Sequence, residues 1–227
     1  MYKVWWKVLC VVFLVSTFII GLLMPVPALN ILNETIRNLF FHVPMWFGMM
    51  LLFGVSMYHA IRFLNTQDLK NDINSEQYAK VGVLFGCLGM VTGMEWARFT
   101  WGEFWSNDPK QLASAISLLI YFAYLVLRAA IPDYDRKAKV AAVFNIFAFF
   151  IMIPLIMILP RLTESLHPGN GGNPAFGELA PSMRPMFYIA VIGWFTLGVW
   201  IATLGIRLKR LNLKDILHVP NSGSAIL

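Results

Sequence analysis

The sequence predicts an all-α integral membrane bundle of six transmembrane helices with both termini cytoplasmic. Three observations carry that expectation. Of 227 residues, 58% are hydrophobic; only 13% are charged, against about 25% in an average soluble chain; and the mean hydropathy is +0.65. Too few charged side chains exist to coat a water-facing surface, so a soluble globule is excluded. Six spans of about 20 residues each leave tails and loops and no room for a separate folded domain.

The apolar runs read as spans over 5–24, 39–61, 81–97, 112–131, 140–159 and 186–206. Pro25 and Pro27 end the first, Pro132 the fourth and Pro160 the fifth, each where a helix would lose a backbone donor. The third carries Gly82, Gly86, Gly89 and Gly93, two Gly-x-x-x-Gly pairs that admit a close neighbour, which puts this span inside the bundle. The first is basic at its start (Lys3, Lys7), but Met24-Pro-Val-Pro-Ala-Leu-Asn30 offers no small-x-small cleavage site, so it is expected to be retained. The stretch 29–39 is the approach to the second span.

Lys and Arg fix the sidedness. Thirteen of the 18 fall on one side and five (Arg37, Arg98, Lys110, Arg161, Arg184) on the other. The positive-inside rule then places the loops after spans one, three and five outside. The net charge of +6 reflects topology and contact with a lipid bilayer, and no soluble basic face exists to bind nucleic acid. Cys10 and Cys87 both sit in apolar runs, without a Cys-x-x-Cys pair, so neither a disulfide framework nor a zinc site is indicated.

With sides assigned, the chemistry collects outside. His42 lies at the outer end of span two and His167 in the outer loop 160–185, which holds four glycines and five prolines; His59 and His218 lie at the opposite face. Between the outer histidines runs an outer loop over 98–111, preceded by Trp96, in which Phe99, Trp101, Phe104 and Trp105 supply flat apolar rings. An aromatic belt would scatter such rings over all helix ends; three of the eight tryptophans lie between 96 and 105. Two imidazoles flanking an aromatic shelf suit a planar macrocycle with iron at its centre, held as non-covalent haem b by two axial histidines. A lone histidine near a helix end is more often only hydrogen-bonded, and it is the pairing on one face that favours a ligand role. The five outer cations are candidates for the haem propionates, and spacing does not choose among them.

The runs Phe41-His-Val-Pro-Met-Trp46, Trp101-Gly-Glu-Phe-Trp-Ser-Asn-Asp-Pro109 and Ser165-Leu-His-Pro168 resemble the CcmC-type haem-handling proteins of cytochrome c maturation, over the whole chain. Phe104 and Asn107 stand where that family commonly carries Trp. The resemblance implies that His42 and His167 are the axial iron ligands, and that Trp101, Gly102, Phe104, Trp105 and Asp108 belong to the haem-presenting loop with Arg98 beside it. It implies a non-enzymatic delivery protein of the bacterial inner membrane, with its haem on the periplasmic side. The partners it implies are a haem chaperone of the CcmE type, ATP-binding-cassette subunits of the CcmA/CcmB type and a small CcmD-like protein. The chain has no Gly-x-x-x-x-Gly-Lys-Ser/Thr run of its own. Two rivals are weaker. A b-type haem electron carrier or quinone-linked subunit would need a second, inner cofactor site, and a small-solute transporter would place ionisable groups near mid-membrane.

Overall fold

The computed structural model describes residues 4–28, 31–167 and 179–218, with side chains as far as residue 212. The described residues are helical, without strands: α1 (Trp5–Leu23), α2 (Leu39–Thr66), α3 (Leu69–Trp101), α4 (Pro109–Ala130), α5 (Tyr134–Ile153) and α6 (Arg184–His218). A 3₁₀ turn, Asn33–Asn38, leads into α2, and α5 continues through one wide π turn, Pro154–Ile158, into a 3₁₀ turn, Leu159–Arg161. Five of these segments are long and apolar enough to cross a membrane. The chain is a membrane protein, and α3 is the helix outside that set.

The third span therefore departs from the expected 81–97. It is a 33-residue helix that begins twelve residues earlier and ends four later. Its first three turns carry Asp72, Glu76 and Lys80, which lower its hydropathy below that of a lipid-facing span. They are tolerated because the first two are paired inside the bundle. Arg128 of α4 makes a two-pronged contact with Asp72 at 2.7 and 2.5 Å and reaches Glu76 at 3.2 Å. Glu76 also takes Lys80 at 2.8 Å and Lys209 of α6. A charge buried in a helical bundle is costly unless another neutralises it.

The four glycines of α3 explain how it packs. Helices α2 and α3 run antiparallel along their length, and each glycine receives a side chain of α2: a Cβ would stand 2.5 Å from Phe53 at Gly82, 2.7 Å from Met49 at Gly86, 3.0 Å from Trp46 at Gly89 and 2.5 Å from His42 at Gly93. The expectation of an interior helix holds for this reason. Further along, Asn145 of α5 donates to Ser56 of α2 at 2.7 Å and Ser75 of α3 at 2.9 Å. Interhelical bonds of this kind in lipid are worth about 0.6 kcal/mol each.

Other boundaries differ from expectation: α2 runs on to Thr66 rather than 61, α5 starts at Tyr134 rather than 140, and α6 continues to His218 rather than 206. The loop expected over 98–111 shrinks to Gly102–Asp108, since α3 runs to Trp101 and α4 starts at Pro109. The fifth helix loses its regular α form at Pro154 rather than at Pro160. Residues 168–178 of the expected outer loop 160–185 lie outside the described residues, as do Leu29 and Asn30.

Candidate functional site

Pro44 sits six residues into α2, where its ring removes the hydrogen bond to the Phe40 carbonyl. That carbonyl is not orphaned: the Trp194 indole of α6 donates to it at 3.1 Å. The first turns of α2 are thereby held against α6, and His42 projects to the other side, against α3. Its Nδ1 lies 3.0 Å from the Gly89 carbonyl and 3.3 Å from the Thr92 hydroxyl. A carbonyl only accepts, so Nδ1 carries the proton and Nε2 keeps its lone pair. Trp46 and Trp96 meet the imidazole edge-on, with centroids at 6.2 and 5.8 Å. Trp96 is fixed in turn by donating to Thr35 at 3.2 Å.

His167 is positioned by Asp108. The Asp108 carboxylate caps α4 by accepting from the Lys110 amide at 2.9 Å, and the same oxygen faces His167 Nδ1 at 2.8 Å. Its second oxygen accepts from Ser165 Oγ at 2.8 Å and from the Leu166 amide at 2.7 Å. Burial by itself would raise this carboxyl; the bonds from His167, Ser165 and Leu166 outweigh it and hold Asp108 well below the usual carboxylate range. As an anion it can only accept, so His167 also has a proton on Nδ1, and Nε2 is the ring nitrogen not engaged by Asp108. Trp101 packs edge-on against this ring at 4.7 Å. A carboxylate behind a histidine fixes ring orientation and raises the basicity of the far nitrogen.

Both imidazoles line the same two adjoining cavities, of about 420 and 150 Å³. The larger is walled mainly by apolar residues, among them Trp46, Trp96, Trp101, Met50 and Met157; the smaller adds Met90, Met94, Gln111 and Ser114. Lys110 lines both and is the one Lys or Arg among the described lining residues. The other outer cations are turned elsewhere: Arg37 to Glu34 and the carbonyls of Gly21 and Met24, Arg161 to the Met157 carbonyl, Arg184 to the Leu179 carbonyl.

Of the residues singled out in the sequence, His42, His167 and Trp101 share the cavity, and Asp108 reaches it through His167. Arg98, Gly102, Phe104 and Trp105 do not line it. Arg98 bonds the Gly102 carbonyl and lies 5.9 Å over the exposed Phe104 ring, while Trp105 donates to Asn107 at 2.7 Å. Asn107 and Gly102 both adopt positive φ, +55° and +88°. Asn and Gly are the residues that tolerate this. His59 bonds Asn71 at the far end of α2. Sequence reasoning passed over Trp46, although it lies one helical turn from His42 and so on its face. It also read Gly93 only as a helix contact. A methyl group there would stand 2.5 Å from His42 Cε1. Gly93→Ala is expected to displace the imidazole and lower haem retention at least several-fold with the protein still inserted, checked by haem content per mole of purified protein.

The donor set fits a macrocyclic iron ligand: two imidazoles each held through Nδ1, aromatic and thioether walls, and one cation. Comparison with known proteins points the same way. The chain is 26% identical over 183 residues to Heme exporter protein C of Haemophilus influenzae, which covers 79% of this chain and 73% of that one. It is 24% identical over 178 residues to Heme exporter protein C of Paracoccus denitrificans, covering 78% and 73%. A segment of 114 residues is 35% identical to the cytochrome c biogenesis protein CcsA of a Prochlorococcus marinus strain, covering 50% of this chain and 35% of that one. The family described as CcmC, Heme exporter protein C, matches residues 1–218, and the chain belongs to that family.

Proposed function

We propose that this protein binds haem between His42 and His167 and passes it to a haem chaperone for cytochrome c maturation, without enzymatic chemistry of its own. The single observation that carries the reading is that two imidazoles from distant parts of the chain line one apolar cavity, each with Nδ1 engaged and Nε2 left to ligate. Haem is cargo here. The iron would be held by Nε2 of His42 and of His167, with Trp46, Trp96 and Trp101 to pack against the ring system and Lys110 to pair with a propionate. In this reading α3 is the sixth crossing, both termini are cytoplasmic, and the cavity faces the periplasm of a bacterial inner membrane. The asymmetry of Lys and Arg supports that orientation. The partners are a chaperone of the CcmE type, ATP-binding-cassette subunits of the CcmA/CcmB type and a small CcmD-like protein.

Purified protein should carry the absorption spectrum of low-spin haem b with two nitrogen ligands. His42→Ala and His167→Ala should each cut haem retention by an order of magnitude or more while membrane insertion is unchanged, and the double substitution should abolish it. Full haem content in the double variant would defeat the assignment.

A further inference from the structure

The cavity occupies one end of the bundle. On α2 its lining stops at Met50, on α3 at Gly89 and on α4 at Ser114. One turn deeper the helices close on one another. Met49, Leu52 and Phe53 of α2, Phe85 of α3, and Leu118 and Tyr121 of α4 are between 0 and 5% exposed. Phe53 and Tyr121 stack face to face with centroids at 3.4 Å and planes 4° apart, bridging α2 and α4. Glycines set this layer without slack: a Cβ on Gly48 would be 2.7 Å from Phe85, on Gly86 2.4 Å from Leu118, and on Gly198 of α6 2.8 Å from Leu52.

Two further layers lie below. The first is the hydrogen-bonded set Ser56, Ser75 and Asn145, and the second is the ion cluster around Asp72 and Arg128. A rigid macrocycle many atoms wide would have to part α2 from α3 along most of their length, since the four glycines mesh the pair from His42 to Phe53. It would also have to break a buried guanidinium–carboxylate pair. Interiors packed at this density do not yield gradually.

We propose that haem enters and leaves the cavity only at the end that carries His42 and His167, and that the rest of the bundle is a permanent closure rather than a conduit across the membrane. The proposal rests on the haem-site reading above and adds the route of access. Haem made on the other side of the membrane must then be brought to this face by a separate membrane-crossing step.

Single cysteines in a Cys10→Ser/Cys87→Ser background test it in native membrane vesicles of both orientations, with a charged, impermeant thiol reagent added in the presence and absence of haemin. Met50→Cys and Thr100→Cys, in the cavity, are expected to react from one side only and to be slowed about tenfold or more by haemin. Leu52→Cys and the near-isosteric Ser117→Cys, in the closure, are expected to stay unreacted from both sides in either condition. Labelling of either closure position from the side opposite the cavity overturns the proposal, and Ser117→Cys answers even if Leu52→Cys disturbs packing. If haemin leaves Met50→Cys and Thr100→Cys unprotected while the closure stays silent, the haem-site reading fails, and the access route falls with it.

Discussion

Asp108→Asn is expected to weaken haem retention about 10–100-fold, the usual cost of removing the partner that orients a ligating histidine, with helix content and insertion unchanged. Asp108 accepts four bonds, from the Lys110 amide, the Leu166 amide, Ser165 Oγ and His167 Nδ1. Asparagine is as good a helix cap as aspartate, so α4 keeps its start. One of its two positions, however, becomes an NH₂ group. Whichever way the amide turns, that group meets an N–H or O–H that needs an acceptor. Ser165 can rotate to accept, but an amide N–H or the His167 Nδ1–H cannot. The His167 segment loosens, and the imidazole loses the anion that holds its proton on Nδ1. Haem titration of the purified variant reads the affinity, and its absorption spectrum reads the ligand set. Loss of affinity with a shifted spectrum and unchanged circular dichroism marks a positioning role; wild-type affinity would show that His167 does not need this carboxylate.

Arg128→Met should destabilise the fold by about 3–5 kcal/mol, the cost of breaking a buried ion pair from one side. The side chains of Arg128 and Asp72 are 5% and 2% exposed, and after the change the hydrogen-bond partner left to the Asp72 side chain among the described residues would be the Tyr134 hydroxyl, at 3.3 Å. Glu76 loses less, because Lys80 and Lys209 still reach it. For a chain of this size the loss corresponds to a drop in thermal midpoint on the order of 10 °C. The double variant Asp72→Leu/Arg128→Leu should recover most of it, since two apolar side chains leave no bare charge behind. Midpoints of the detergent-solubilised proteins decide it. A single variant that melts with the wild type would mean the cluster is hydrated and not load-sharing. Haem binding should be spared in both, because the cluster lies three layers from the cavity.

The bundle was legible wherever hydropathy was uniform. Helices α1, α2, α4 and α6 start within a few residues of the apolar runs, because their starts coincide with the onset of continuous apolar composition. Helix α3 was legible only in part. Hydropathy sees Asp72, Glu76 and Lys80 as a water-facing loop, whereas Arg128, 56 residues from Asp72, turns the two carboxylates into an interior contact. No local pattern encodes a partner that distant. The site followed the same logic. His42 and His167 stand out by residue type and by sidedness, and the structure brings them to one cavity. The aromatic wall was only half visible. A run of Trp and Phe between 96 and 105 reads as one shelf, yet α3 continues to Trp101, so helical phase turns Trp96 and Trp101 to the cavity and leaves Phe99 exposed. Trp46 completes the wall from another helix, through the opening Gly89 leaves for it.

The π turn after α5 has a geometric consequence for the arm that carries His167. Pro154 has no amide hydrogen, and its own carbonyl takes the Leu159 amide five residues on instead of four. The added residue turns the backbone by about 100° relative to an uninterrupted helix. Neighbours in sequence, Ile156 and Met157, consequently reach different chambers of one hollow, and the strand of chain beyond them bends toward the cap of α4 instead of continuing along the axis of α5. A proline placed thirteen residues from the imidazole it serves thus sets the heading of the arm, and Asp108 sets its end point.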